Sequence, residues 1–92
     1  MFSSTYRGMR IAVSHSAMQE LMKTGMAVSD IVDILENGYD APRRRKRGTV
    51  EKWLDVGKKT RNAVIVRDYH EIMREECWVL IHAGTFTRKK LP

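Results

Sequence analysis

The stretch Asn62-Ala63-Val64-Ile65-Val66-Arg67 gives the clearest indication of the fold of this chain. Its apolar run is nearly continuous, which is typical of a strand that is covered on both faces. A strand of this kind belongs in the middle of a sheet rather than at its edge. We therefore predict that these residues form the central strand of a sheet.

Two further strand segments flank this run. Cys77–His82 is predicted to be a well-covered strand that Gly84 ends, and Thr49–Val56 alternates between apolar and polar residues. The alternation places Val50, Leu54 and Val56 on one face, and Thr49, Glu51, Trp53 and Asp55 on the other. A turn at Gly57-Lys58-Lys59 and a polar connection over Asp68–Glu76 would join the three strands as an antiparallel meander.

The N-terminal half is predicted to be mainly helical. After a loose lead-in over residues 1–9, Arg10–Val13 is a short strand candidate. Ser14 is a candidate N-cap for a helix over His15–Thr24, because its hydroxyl can accept an orphan backbone N–H, and Gly25 can end that helix. The predicted apolar pairs of this helix are Ala17 with Leu21 and Met18 with Met22.

The second helix is predicted to start at Ser29 as N-cap and to stop at Asn37-Gly38. Its buried stripe consists of Val28, Ile31, Ile34 and Leu35. The element order is then β-α-α-β-β-β, an α+β fold with two helices packed on one face of a small antiparallel sheet.

Length and composition restrict the class of protein. The 92 residues predict a single domain over 1–92, whose modest core would gain stability from a homodimer or a tight partner. No apolar stretch is long enough to cross a membrane, so we expect no membrane partner. With one cysteine and no signal-peptide segment, the expected location is cytoplasmic.

The charge is unevenly distributed along the chain. Residues 1–42 carry a net charge of −2 and residues 43–92 carry +8, which together give the net charge of +6. The sequence pI near 9.8 is typical of a protein that binds nucleic acid. The alternative is that the excess of Lys and Arg only keeps a small protein soluble.

A run of five cations separates the helical half from the strand half. Such a run requires a polyanionic partner, a buried acidic partner or water, and we expect a solvated basic loop over residues 40–48. Arginine binds phosphate through two parallel hydrogen bonds, so this loop and the basic tail over residues 88–92 are the predicted nucleic-acid contacts. These contact residues are Arg43, Arg44, Arg45, Lys46, Arg47, Arg88, Lys89 and Lys90.

Other candidate chemistry is sparse. His15 and His82 could transfer protons near neutral pH, but His15 also suits a helix start, and His82 would share a strand face with Trp78 and Leu80. Trp53 and Trp78 could stack on bases or belong to the core. No metal-ligand spacing, hydrolase nucleophile motif or glycine-rich phosphate loop is present, so we expect no metal and no cofactor.

A further pattern precedes the basic loop and the three strands; its residues are His15, Ala17, Gly25, Met26, Ser29, Asp30 and Ile31. With these residues, the layout of residues 10–88 resembles a small prokaryotic domain of uncharacterised function. It is similar in layout to BrnT-type toxins and, more remotely, to RelE/ParE-like toxins.

The resemblance implies metal-independent cleavage of RNA in a toxin–antitoxin system, with a protein antitoxin as partner. Arg67 would then stabilise charge in the transition state, and His15 or His82 would transfer the proton. Thr85 and Thr87 could add hydrogen bonds.

Two readings other than catalysis stay open. A non-catalytic module could use the same cations to bind RNA or, less in keeping with the resemblance, DNA. A structural protein could instead dock an acidic partner on its basic face. Convergence of Arg67, His82 and His15 in one cleft would distinguish catalysis from binding.

Overall fold

A computed structural model describes residues 4–43, 45–72 and 74–87 of the chain. Two helices and six strands follow one another in the order β1 (Thr5–Tyr6), β2 (Met9–Val13), α1 (His15–Thr24), α2 (Val28–Asn37), β3 (Tyr39–Asp40), β4 (Thr49–Val56), β5 (Lys59–His70) and β6 (Glu75–Thr87).

The strands form one sheet in the spatial order β1-β2-β6-β5-β4-β3. Strand β2 runs parallel to β6, whereas the other neighbours are antiparallel. The prediction of a small antiparallel sheet is therefore wrong, because the sheet is mixed and has six strands. Side-chain alternation predicts which face of a strand is buried, but it carries no information on the direction of the neighbouring strand.

Two of the strands were not predicted at all. β1 and β3 are two residues long, which is too short for any periodicity to show. β1 lies within the stretch expected to be a loose lead-in, and its Tyr6 is buried in the core.

The central hairpin is longer than predicted. β5 ends at His70 and β6 begins at Glu75. The connection between them is therefore residues 71–74, shorter than the predicted polar connection over residues 68–76. Asp68, Tyr69 and Glu76 are exposed on this part of the ladder, so their polar character did not mark a loop.

Local capping explains the limits of the helices. The Ser14 hydroxyl accepts a hydrogen bond from the Ala17 amide, and Gly25 ends α1 in the left-handed conformation, as predicted. α2 begins earlier than predicted, at Val28, because the Asp30 carboxylate accepts the Ala27 amide at 2.8 Å. Ser29 therefore lies inside the first turn rather than at the N-cap.

The core lies between the helices and one face of the sheet. α2 contributes Ile31, Ile34 and Leu35, and the strands contribute Ile65 and Leu80. From α1 only the pair Ala17 and Leu21 is buried; the predicted second apolar pair, Met18 with Met22, is exposed.

A bulge in β6 changes which residues of that strand face the core. Val64 pairs with His82, but the next residue of β5, Ile65, pairs with Leu80. The additional residue shifts the alternation, so Ala83 is buried in the core and His82 is exposed. The prediction that His82 shares a face with Trp78 and Leu80 is therefore wrong.

Candidate nucleic-acid interface

The described part of the basic loop is folded onto a buried carboxylate. Arg43 donates two hydrogen bonds to the two oxygens of Glu51, both at 2.9 Å. Arg45 donates a third from its Nε, also at 2.9 Å. Two cations of the run therefore have the buried acidic partner that was one of the three predicted options.

Glu51 lies on the sheet face opposite the helices. It pairs across the ladder with Val64, and its side chain is only 1% exposed. Trp53 donates its indole N–H to the same carboxylate at 2.8 Å, and Asn62 donates its side-chain amide at 3.3 Å. A charged group buried to this extent requires several such partners.

The hydrogen bonds determine the charge state of Glu51. Burial by itself would raise the pKa of this carboxyl, but the hydrogen bonds from Arg43, Trp53, Arg45 and Asn62 outweigh burial and lower the pKa to about 2. Glu51 is therefore ionised at neutral pH, and its negative charge offsets part of the positive charge of the loop.

This arrangement divides the basic run into two groups. Arg43 and Arg45 remain exposed on the surface loop, as expected, but their side chains bind the buried Glu51 carboxylate beneath the loop. Lys46 and Arg47 are exposed, and no ion pair joins them to another described residue. Arg44 lies outside the described residues.

Arg67 lies beside the outward-facing part of the loop. Its backbone amide donates to the Gly48 carbonyl at 2.9 Å, and the Thr49 amide donates to the Lys46 carbonyl at 3.0 Å. The first bond attaches the end of the loop to β5, and the second closes the turn that leads into β4. We name the exposed surface formed by Lys46, Arg47, Gly48 and Arg67 the Gly48 corner.

The Arg67 side chain packs against a row of aromatic rings. Its guanidinium lies over the Trp78 ring, 5.4 Å from the ring centroid, and Trp78 contacts Tyr6 with 6.0 Å between ring centroids. Arg7 in turn lies over Tyr6 at 5.2 Å. Trp78 itself is buried and donates its indole N–H to the Tyr6 carbonyl, so it belongs to the core rather than to a base-stacking surface.

The second tryptophan has a different environment. Trp53 is half-buried on the helix-free face, where it meets Phe86 edge-to-face at 4.9 Å and Tyr39 at 6.4 Å. Because its indole N–H is bound to Glu51, this ring supports the buried carboxylate.

The predicted catalytic residues have separate contacts. His15 contacts Gln19 on its own helix at 3.4 Å, and the His82 ring lies 3.3 Å from the Glu20 carboxylate. His82 pairs with Val64 and Arg67 pairs with Trp78, and Val64 and Arg67 are an odd number of residues apart on β5. Arg67 and His82 therefore point to opposite faces of the sheet. In the described structure the three residues do not share a cleft.

The predicted contacts at the end of the chain are described only in part. Thr85 and Thr87 are exposed on β6, where Thr85 pairs with Arg61 and Thr87 pairs with Lys59. Arg88, Lys89 and Lys90 lie outside the described residues.

Glu51 and Asn62 were not predicted from the sequence as partners of the loop. One signal could have identified Glu51, because it is the first acidic residue after the basic run, eight residues after Arg43. The partner strand supplies Asn62, and that pairing is visible only in the fold.

Comparisons with protein-family models, with curated proteins and with solved structures found no match to this chain. Within the described residues, no group of three or more His, Cys, Asp or Glu side chains could hold a metal ion. Neither described helix has the length and apolar character that crossing a membrane requires.

Proposed function

We propose that this chain is a nucleic-acid-directed domain that contacts the phosphates of RNA through the Gly48 corner. One observation carries the proposal: the hydrogen bond from the Arg67 amide to the Gly48 carbonyl places a strand arginine beside the exposed cations of the loop. Lys46, Arg47 and Arg67 then form a basic surface that is attached to β5 at Gly48.

The buried ion pairs support this surface. Arg43 and Arg45 hold the start of the loop against β4 through Glu51, so that less order has to be gained when RNA binds. In this view Arg43 and Arg45 are positioning residues, and Lys46, Arg47 and Arg67 make the contacts with phosphate. Arginine stacked on an aromatic ring, as Arg67 is on Trp78, keeps its outer N–H groups free for a phosphate.

Cleavage of RNA without a metal ion is the second candidate. The observation that favours it is the contact between His82 and Glu20, in which a carboxylate could orient an imidazole as a general base. Both side chains are accessible, with 57% of His82 and 38% of Glu20 exposed. In this candidate function the protein acts in a toxin–antitoxin system, as the resemblance implies. We also propose a cytoplasmic location, where the buried Cys77 would stay reduced.

The test is a binding titration of purified protein with labelled RNA and with DNA of the same sequence. We expect RNA to bind more tightly than DNA, and the double variant Lys46→Ala/Arg47→Ala to lose binding while keeping its unfolding midpoint. Lys58→Ala is the matched control, because Lys58 is exposed in the turn between β4 and β5 at the opposite end of the ladder. Equal losses in both variants would refute a specific Gly48 corner.

The same RNA, incubated with the protein in chelator from about pH 5 to about pH 9, tests cleavage. Products that disappear in His82→Ala but persist in His70→Ala would support the second candidate. RNA that is bound but intact at every pH would refute cleavage and support binding as the function.

A further inference from the structure

A second basic site lies at the opposite end of the sheet. A cleft of about 390 Å³ opens there between the end of α1 and the strands, and it is lined by Thr24, Val56, Lys59, Arg61 and Thr85. We name it the Arg61 cleft. Its volume is in the range of sites for small molecules.

This cleft is distinct from the Gly48 corner. Lys59 begins β5 and Arg67 lies eight residues later on the same strand, so the two regions are roughly 26 Å apart at the usual rise of a strand. A site at the Arg61 cleft therefore does not depend on the function proposed above.

The strand side of the cleft is a set of hydrogen-bond donors. Lys59 is exposed and has no ion pair with a described residue. Arg61 uses one Nη for Asp30 at 3.5 Å, which leaves other N–H donors of its guanidinium free. Thr85 is directly opposite Arg61 in the β5–β6 ladder, so both side chains lie on the same face of the hairpin and line the cleft. Two cations and a hydroxyl together suit a phosphate group.

The helix side of the cleft has the opposite character. The Thr24 hydroxyl donates its proton to the Glu20 carbonyl at 2.8 Å, so toward the cleft its oxygen can only accept. Thr24 is also the last residue of α1, where the negative end of the helix dipole disfavours an anion. A ligand would therefore place its anionic group on the strands and a hydroxyl group near Thr24.

Val56 adds an apolar surface, since its side chain is 45% exposed. We propose that the Arg61 cleft binds a phosphate monoester whose body carries hydroxyl groups and an apolar face, as a nucleoside monophosphate does. The phosphate lies against Lys59, Arg61 and Thr85, and the sugar hydroxyls face Thr24. The same chemistry is present in a free mononucleotide and in the phosphorylated end of an RNA strand.

The test is a titration of ¹⁵N-labelled protein with adenosine 5′-monophosphate, followed by amide shifts. We expect the largest shifts at Lys59, Arg61 and Thr85, small shifts at the Gly48 corner, and no binding of adenosine, which lacks the phosphate. A titration with short RNAs that do or do not carry a 5′-phosphate then distinguishes the two sources: preference for the phosphorylated RNA over the free nucleotide identifies RNA ends.

Variants make the test specific. Lys59→Gln and Thr85→Val should each lower the affinity for the mononucleotide roughly tenfold. Lys58→Gln removes the same charge one residue away, outside the lining of the cleft, and should bind as the unmodified protein does. Arg61 is left unchanged because it also contacts Asp30, which caps α2. The proposal is overturned if the mononucleotide shifts no cleft residue, or if Lys58→Gln weakens binding as much as Lys59→Gln.

Discussion

Arg43 holds Glu51 by two parallel hydrogen bonds of 2.9 Å, which join an exposed loop residue to a carboxylate that is buried in the sheet. This pairing makes part of the basic run structural. It also separates residues that stabilise the fold from residues that are free to bind a ligand, and the predictions below depend on that separation.

Glu51→Gln should lower the free energy of unfolding by about 3 kcal/mol, because it leaves two arginines facing a neutral amide in place of the anion. Chemical denaturation monitored by tryptophan fluorescence measures this change. Glu71→Gln is the control, since Glu71 is exposed in the turn after β5 and should change stability by less than about 0.5 kcal/mol. Similar effects of the two variants would contradict the structural role of Glu51.

Arg45→Ala and Arg47→Ala should differ in stability, although both remove one arginine from the same run. Arg45→Ala should cost roughly 1 to 3 kcal/mol, because it removes a charged donor from a buried acceptor. Arg47→Ala should stay within about 0.5 kcal/mol, since its side chain is exposed. Thermal unfolding of the two variants side by side gives the answer, and equal midpoints would show that the loop is not anchored through Arg45.

Acid should destabilise the protein through Glu51. Its pKa in the folded state is lowered to about 2 from 4.5, so its contribution to stability is fully present above pH 4.5 and is lost as the pH falls toward 2. The loss should be at most about 3 kcal/mol for this one group. Comparing unfolding free energies with those of Glu51→Gln isolates the effect, because the variant should lose less stability over the same window.

Binding of RNA should depend steeply on salt. Three phosphate contacts on a single strand predict a loss of affinity of roughly 20-fold between about 50 mM and about 200 mM salt, and contacts from Arg44 or the tail would add to it. Arg47→Ala should reduce the slope of log affinity against log salt by about 0.7, whereas Lys58→Ala should not change it. A slope near zero for the unmodified protein would argue against phosphate contacts.

Cys77 should be unreactive while the protein is folded. The thiol is buried on β6, and its burial, together with the charges of Asp68 and Glu75, raises its pKa. An alkylating reagent at mildly alkaline pH should label it only after denaturant is added. Rapid labelling of the native protein would show that this end of the β5–β6 hairpin opens readily.

The elements that depend on local chemistry could be predicted from the amino-acid sequence. The apolar run over Ala63–Val66 predicted the central strand, and Ser14 with Gly25 predicted both limits of α1. These predictions held because helix capping and the apolar pattern of a strand are properties of residues that are close along the chain. The tryptophan of the core, Trp78, was also recognisable as a strand residue.

The features that join distant segments depend on tertiary contacts and could not be predicted from the sequence. The parallel pairing of β2 with β6 depends on the path of the chain between the two strands. The periodicity of side chains along a strand does not specify this path. The bulge that exposes His82 depends on the register between β5 and β6, and one additional residue is enough to reverse the face on which a side chain lies. The burial of Glu51 depends on Arg43, Arg45 and Asn62 arriving from two other segments, because a buried carboxylate is stable only when its partners surround it.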